Sequence, residues 1–262
     1  MRVATFNLLH GQSLTDGTVD ADRLRHDIAT LDADVLGLQE VDRGQPRSNC
    51  LDEAAEAAAA VGGGAAYRFV PTMIGTPGEE WTAAVDGDED RRGEPAYGIA
   101  LVTRLPVLRW QVRRLTAAPM RSPVPDPGTT AQLTFAHDEP RAMLAAVVEG
   151  PHGPLTVATA HLSFVPGWNA WQLRQVCREL CDLPAPRLLL GDLNIPGRVA
   201  GVLSGWHMLA TNLPTYPSPD PQFQLDHVLA DGADGRPPLV VSADTHAMRI
   251  SDHRALVVEL AD

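Results

Sequence analysis

Residues 188–194 read Leu188-Leu189-Leu190-Gly191-Asp192-Leu193-Asn194. A short run of leucines suits a strand buried on both faces, and Asp192 and Asn194 stand where it ends. A turn would explain either polar residue alone, because Asp and Asn hydrogen-bond well to their own backbone. Outward from this stretch, however, the same form recurs. ATFNLLHG (4–11) closes an apolar run with Asn7, GLQEVD (37–42) with Gln39 and Glu40, and ATAHLS (158–163) with His161. QLDHVLA (224–230) is interrupted by Asp226 and His227, and SDHRALVVEL (251–260) sets Asp252 and His253 just before a final apolar run. So many chemically compatible interruptions exceed what turns alone explain. Strand ends on one side of a sheet converge in space, so these residues are expected to share one cleft.

Between these stretches, periodicity predicts helices over 20–31, 51–61 and 169–183. It predicts strands over 3–9, 34–39, 67–72, 97–103, 107–115, 141–149, 155–161, 187–191, 225–229, 239–243 and 254–260. The order is strand–helix–strand at both ends and strand after strand between. It predicts an α/β protein with two sheets face to face and helices outside. Residues 73–95 and 117–140, rich in Gly, Pro and acid or in Pro and Thr, read as two long surface loops of a single domain spanning 1–262. The first carries Glu79, Glu80, Asp86, Asp88, Glu89 and Asp90, a cluster expected to repel a long polyanion if it borders the cleft.

Hydrophobic residues make up 44%, which excludes a disordered chain. The net charge of −12 argues against tight nonspecific binding to nucleic acid, which draws on a basic face. Cys50, Cys177 and Cys181 are too few for a disulfide framework, and the last two read as small buried helix residues. There is no apolar run of membrane-spanning length and no leader pattern, so the expectation is a soluble, cytoplasmic protein without stable membrane association or an obligate protein partner.

The residue types point to one chemistry. Carboxylates and an amide oxygen are the hard donors that Mg²⁺ or Mn²⁺ prefers. Histidines add hydrogen bonding and proton transfer near neutral pH. Phosphate ester hydrolysis needs these parts, and the chain has neither a nucleophile elbow nor a glycine loop with lysine, so activated water is the economical nucleophile.

Taken together and in order, the six quoted motifs resemble those of the endonuclease/exonuclease/phosphatase superfamily, from the first strand to the last. The resemblance implies a four-layer α/β/β/α sandwich with two mixed sheets, and a hydrolase of phosphate esters acting on a phosphate-containing substrate, a small phosphodiester or a nucleic acid. It implies Mg²⁺ or Mn²⁺ held by Glu40 with Asn7 beside it and Asp252 as a further carboxylate. It implies that Asp192 and Asn194 position the nucleophile and a phosphate oxygen. It implies too that His253, oriented by Asp226, activates water or stabilises the phosphoryl group, and that His161 binds a phosphoryl oxygen or assists the leaving group. His227 should point away, since adjacent strand residues face opposite sides. Pancreatic deoxyribonuclease has an acidic partner for its equivalent of His161, and none is legible here. Arg43 and Arg47 read equally as phosphate contacts or as surface ion pairs, and Arg104 as structural. Trp168 reads as lining the cleft and Trp171 as core. The alternatives are a nuclease, a phosphomonoesterase or lipid-headgroup hydrolase, and a noncatalytic scaffold.

Overall fold

In the computed structural model, which describes residues 1–91, 93–126 and 129–261, the leucine run ending at Asp192 is a strand with Leu188, Leu189 and Leu190 all buried. The strands run in chain order as β1 (Arg2–Asn7), β2 (Val35–Arg43), β3 (Ala66–Gly75), β4 (Trp81–Ala83), β5 (Ala96–Thr103), β6 (Val107–Leu115), β7 (Arg121–Asp126) and β8 (Thr129–His137). They continue as β9 (Arg141–Gly150), β10 (Gly153–His161), β11 (Arg187–Asp192), β12 (His207–Met208), β13 (Asp226–Asp231), β14 (Val240–His246) and β15 (Ala255–Leu260). The helices are α1 (Ala21–Leu31), α2 (Glu53–Val61), α3 (Trp168–Cys181) and α4 (Val199–Ser204).

Two mixed sheets result, ordered β14-β15-β1-β2-β5-β3-β4 and β12-β13-β11-β10-β9-β6. Each has one parallel pair near its middle, β1 with β2 and β10 with β11. Parallel neighbours need a crossover, and α1 and α3 supply it. Asp20 caps α1 by accepting from Arg23 N at 2.7 Å, and Asp52 caps α2 through Ala55 N at 3.1 Å.

Strand alternation sorts the apolar residues into three packed layers. Val3, Val35, Leu101, Leu144, Val157, Leu188, Leu190, Val228 and Leu256 fill the space between the sheets. On one outer face Ala4, Phe6, Leu36 and Leu38 meet Leu24, Ile28 and Leu31 of α1 and Ala54 and Ala57 of α2. On the other, Ala158, Ala160 and Leu189 meet Leu173, Val176 and Leu180 of α3 and Ala200 of α4. The fold is therefore the α/β/β/α sandwich. Truncating a leucine such as Leu188 in the central layer would cost about 2–5 kcal/mol.

The stretches read as loops are more ordered than expected. β3 continues to Gly75 and pairs with β4, and a separate hairpin, β7 with β8, occupies most of 117–140. Positions 127 and 128 of that second stretch lie outside the described residues. Pro123 and Pro125 hid the hairpin, because proline marks a run as non-strand unless it lies at an edge, and this ribbon is all edge. The first strand stops at Asn7, short of position 9, because Leu9 and His10 turn to φ 46° and 44°. Cys177 is buried but Cys181 is exposed, on the outer side of α3. Among the described residues no helix is long and apolar enough to cross a membrane.

Candidate active site

The site forms where β1, β10 and β11 end and β13 begins, beside an irregularity within β2. Beneath it Gln39 joins the sheets, donating to Thr5 Oγ1 at 3.1 Å and Thr159 Oγ1 at 2.8 Å. A register shift in the β2–β5 pairing between Leu38 and Val41 marks a bulge, and Glu40 takes φ 54° there. The extra residue re-aims the side chain, which is how Glu40 comes to line the cleft. Gly191 allows β11 to approach β10, since a Cβ there would lie 1.9 Å from Ala160 O.

Asn7 bridges two carboxylates, its Nδ2 donating to Glu40 Oε1 at 3.0 Å and Asp192 Oδ2 at 3.1 Å, while its Oδ1 accepts from Leu9 N at 3.1 Å. Asp192 Oδ1 accepts from Asn194 N at 2.9 Å, and Oδ2 lies 3.5 Å from His161 Nε2 and 3.7 Å from His253 Nε2. Asp226 Oδ2 meets His253 Nδ1 at 2.8 Å. The expected Asp226–His253 pair is thus formed. Ser251 Oγ donates to Asn7 O at 2.6 Å and accepts from His253 N at 3.0 Å, fixing the turn that carries Asp252. Asp252 lines the same cleft. His227 points to the outer side, its Nε2 meeting Ile195 O at 2.7 Å. All eight residues singled out for catalysis or metal binding except Asn7 and Asp226 line the cleft directly, and those two touch the ones that do.

Burial and mutual repulsion shape the charges. Burial pushes Glu40 up to about 7, against the hydrogen bond from Asn7 and with help from Asp252. Burial likewise pushes Asp192 up to about 6, against the opposing charge of His253. Asp252 is also raised by burial. Burial would lower His253, but the charge and hydrogen bond of Asp226, with Asp192 and Asp252, hold it up at about 10. His161 goes well below the usual histidine range through burial, then Arg141 and His253.

The cleft also holds residues the sequence reading missed. Arg141 Nη1 lies 3.0 Å from His161 Nδ1, so the nearest charged partner of His161 is a cation, ahead of Asp192 at 3.5 Å. Its signal was hidden in Asp138-Glu139-Pro140-Arg141, which reads as a charged loop. Tyr97, Phe164 and Tyr216 supply the aromatic walls, with Tyr216 4.8 Å from the His253 ring.

The structure also places the other residues singled out in the sequence. Arg43 is buried, donates to Glu89 O and Arg91 O at 3.0 and 2.7 Å, and lies over Phe69. Arg47 lines the cleft but is clamped to Asp42 by two bonds of 2.8 Å. Arg104 is structural, tied to Val61 O and Asp32. Trp168 donates to Thr116 O at 2.9 Å and does not line the cleft. Trp171 is 43% exposed and stacks on Trp168, since its side of α3 faces solvent and not the sheet. In the first long stretch Asp86 and Glu89 pair with Arg114, and Asp88 pairs with Arg91. Among the described residues of that stretch only Pro77 lines the cleft, while Glu79 and Glu80 line a separate hollow with Trp81. The Asp90 side chain lies outside the described residues.

The model of the Endonuclease/Exonuclease/phosphatase family matches residues 4–253. The chain belongs to that family. Its members are hydrolases acting on phosphate esters, and they generally use divalent metal ions. No curated protein matches the sequence. Among solved structures, an endonuclease/exonuclease/phosphatase from Beutenbergia cavernae DSM 12333 is 22% identical with a TM-score of 0.61, the match covering 98% of this chain and 70% of that one. Mannosyl-6-phosphatase from Bacteroides thetaiotaomicron VPI-5482 is 17% identical with a TM-score of 0.60 over 100% of both. TDP2 of D. rerio, complexed with single strand DNA product, is 16% identical with a TM-score of 0.61, covering 100% of this chain and 99% of that one. At these identities the likeness to members of the endonuclease/exonuclease/phosphatase family carries the fold and not the substrate.

Proposed function

We propose that this member of the family, acting as one domain over 1–262, is a Mg²⁺- or Mn²⁺-dependent phosphodiesterase that hydrolyses a small or compact phosphodiester with activated water. The observation that carries the reading is the meeting of Glu40, Asp192 and Asp252 with the Asp226–His253 pair in one cleft. Among the described residues no group of three or more His, Cys, Asp or Glu is placed to hold a metal ion by itself. The donors present nevertheless fit a hard cation, because Mg²⁺ commonly takes one or two carboxylates and completes its shell with water and substrate oxygens. Glu40 and Asp252 would hold it, with Asn7 setting the Glu40 carboxylate in place. When bound, the ion neutralises charge on the phosphoryl oxygens.

The chain's own residues have separable parts in this reading. Asp192, held by Asn194 N and Asn7 Nδ2, keeps one oxygen toward the cleft to orient the attacking water and take its proton. His253, kept charged by Asp226, presents its Nε2 side to the phosphoryl group, where it stabilises developing negative charge. His161 is held neutral, so it serves as a hydrogen-bonding group at a phosphoryl oxygen and not as a proton donor of imidazolium type.

A cleft of about 500 Å³, walled by Tyr97, Phe164, Tyr216, Leu9 and Leu225, supports a compact substrate. So does the acidic balance of the chain. The test is a hydrolysis panel with Mg²⁺ and with Mn²⁺, comparing bis-p-nitrophenyl phosphate, p-nitrophenyl phosphate, plasmid DNA, RNA, inositol phosphates and sphingomyelin. The diester should be turned over fastest. Preference for plasmid or RNA would make the protein a nuclease, and preference for monoesters a phosphomonoesterase. Inertness toward every ester would overturn the reading.

A further inference from the structure

Two arginines line the cleft, Arg141 beside His161 and Arg47 on the turn that follows β2. Arg47 sits on a single helical turn, Pro46–Ser48, that opens on proline and is held on several sides. Gln45 Nε2 donates to Gly75 O at 2.7 Å, Ser48 Oγ to Gln45 O at 3.2 Å and Asn49 Nδ2 to Val19 O at 2.8 Å. The guanidinium is set in place by Asp42, whose side chain is wholly buried and accepts from Nε and Nη2 at 2.8 Å each. Tyr97 packs against it, the ring centre 5.5 Å from Cζ. Behind Asp42 lies a second buried acid, Glu53, whose Oε2 accepts from Asp42 N at 2.7 Å. Burial, and then Asp42, pushes Glu53 well above the usual carboxylate range, so one negative charge and not two backs Arg47.

A guanidinium carries five N–H donors in a fixed fork. Asp42 takes the edge formed by Nε and Nη2, which leaves the edge formed by Nη1 and Nη2. Among the described residues Nη1 makes no hydrogen bond, and the side chain is 30% exposed. His10 lines the same cleft, and its turn closes on the same buried acid, since a Cβ at Gly11 would lie 2.8 Å from Glu53 Oε1. Burial, and then Arg47, lowers His10 to about 4, so it adds a ring hydrogen bond there and no charge. We propose that Arg47, with His10, forms a subsite for a second anionic group, a phosphate or carboxylate carried on the alcohol portion of the substrate and not itself cleaved. The proposal rests on the phosphodiesterase reading above and narrows it to compact diesters whose alcohol portion is anionic. In a chain of net charge −12, a second negative charge on the substrate calls for a dedicated cation. Arginine suits the task better than lysine, because one edge of its fork can hold Asp42 while another meets the anion.

The experiment uses three diesters that release the same p-nitrophenolate: phenyl, 4-carboxyphenyl and 4-phosphonophenyl p-nitrophenyl phosphate. They are compared with Mg²⁺ present for wild type, Arg47→Gln and Arg47→Lys, each checked for an intact fold by thermal melting. Wild type should turn over at least one anionic diester with kcat/KM about tenfold above that of the phenyl diester, the gain lying in KM, as one charge-assisted bond supplies. The carboxylate and phosphonate arms show which anion the subsite takes. In Arg47→Gln the preference should fall to about one, and Arg47→Lys should keep part of it. If Arg47→Gln does not fold, the wild-type preference and its reduction in Arg47→Lys still decide the point. No preference in wild type would overturn the proposal. So would an equal loss on all three diesters in Arg47→Gln with the preference intact, which would mark Arg47 as a brace for Asp42. If wild type hydrolyses no diester, the phosphodiesterase reading fails. Calorimetry then decides the subsite by itself: 4-carboxyphenylphosphonate should bind wild type about tenfold tighter than phenylphosphonate, and Arg47→Gln no tighter. Equal binding of the two by wild type would overturn the subsite.

Discussion

His253 and His161 face the same carboxylate oxygen of Asp192 from opposite walls, at 3.7 and 3.5 Å, and both are buried. One wall sets a carboxylate behind its imidazole, Asp226 at 2.8 Å; the other sets a guanidinium, Arg141 at 3.0 Å. Burial acts on both in the same direction, toward the neutral ring. The partner decides the outcome, so that His253 is held up at about 10 while His161 falls well below its usual range. One residue type thereby gives two functions in one cleft, a fixed cation and a neutral hydrogen-bonding group. The difference comes from which charge each strand end presents.

The largest way to break this contrast is Asp226→Asn. It leaves His253 without the charge that keeps it protonated, and kcat on the best diester should fall about 10²–10⁴-fold while the fold persists. Steady-state kinetics beside a thermal melt would check it. A loss below about fivefold would show that the Asp226–His253 wall is structural.

A second test reads the two walls through stability in the metal-free protein. The folded value of His253 is raised above its unfolded 6.5, so its contribution is complete below pH 6.5 and is lost as pH rises from there through about 10. His161 has the opposite sign. Its folded value is depressed, so its contribution is present above pH 6.5 and is lost as pH falls below that. Urea midpoints of wild type should therefore be highest near neutrality. The alkaline decline should flatten in an Asp226→Asn/His253→Gln double variant, and the acid decline should soften in His161→Gln. Identical pH profiles in all three proteins would contradict the assignment.

What the sequence made legible follows from the same physics. Apolar runs such as Leu188–Leu190 and Val35–Leu38 are forced to be strands, and polar residues that close them have few places to go but a shared end. Asp192, Glu40, Asp226 and His253 were readable for that reason, while the pairing of the last two came from the family resemblance. Arg141 was not, because an arginine between acids and a proline looks like solvated surface until the chain buries it. Nor was the bulge that aims Glu40, since the register shift depends on β5, more than fifty residues away. Trp171 was misjudged because its helical position says which residues share its face but not which face meets the sheet. The pairing of the acidic stretch was not legible because its partners Arg114 and Arg91 arrive through tertiary folding and through a short turn respectively.

The smallest effect is expected there. Neutralising Asp86, Asp88 and Glu89 together removes pairs with Arg114 and Arg91 outside the cleft walls. Asp86 is exposed but the Asp88 and Glu89 carboxylates are largely buried, so a melt beside the assay separates loss of fold from any change in cleavage. Cleavage of plasmid relative to bis-p-nitrophenyl phosphate should change less than about twofold across ionic strength, in line with screening of distant charges. A selective gain on DNA at low salt would show instead that this stretch does border the substrate.

The role of a divalent cation at Glu40 is decided by one titration. Protein stripped with EDTA and verified free of metal is assayed on bis-p-nitrophenyl phosphate while Mg²⁺ or Mn²⁺ is added back, in parallel for wild type and Glu40→Gln. Stripped wild type should show no turnover and saturable recovery with added ion, and a folded Glu40→Gln protein should recover less than about 1% of it, as expected on losing one catalytic group. Full turnover in the stripped wild type, or equal recovery in Glu40→Gln, would contradict that role.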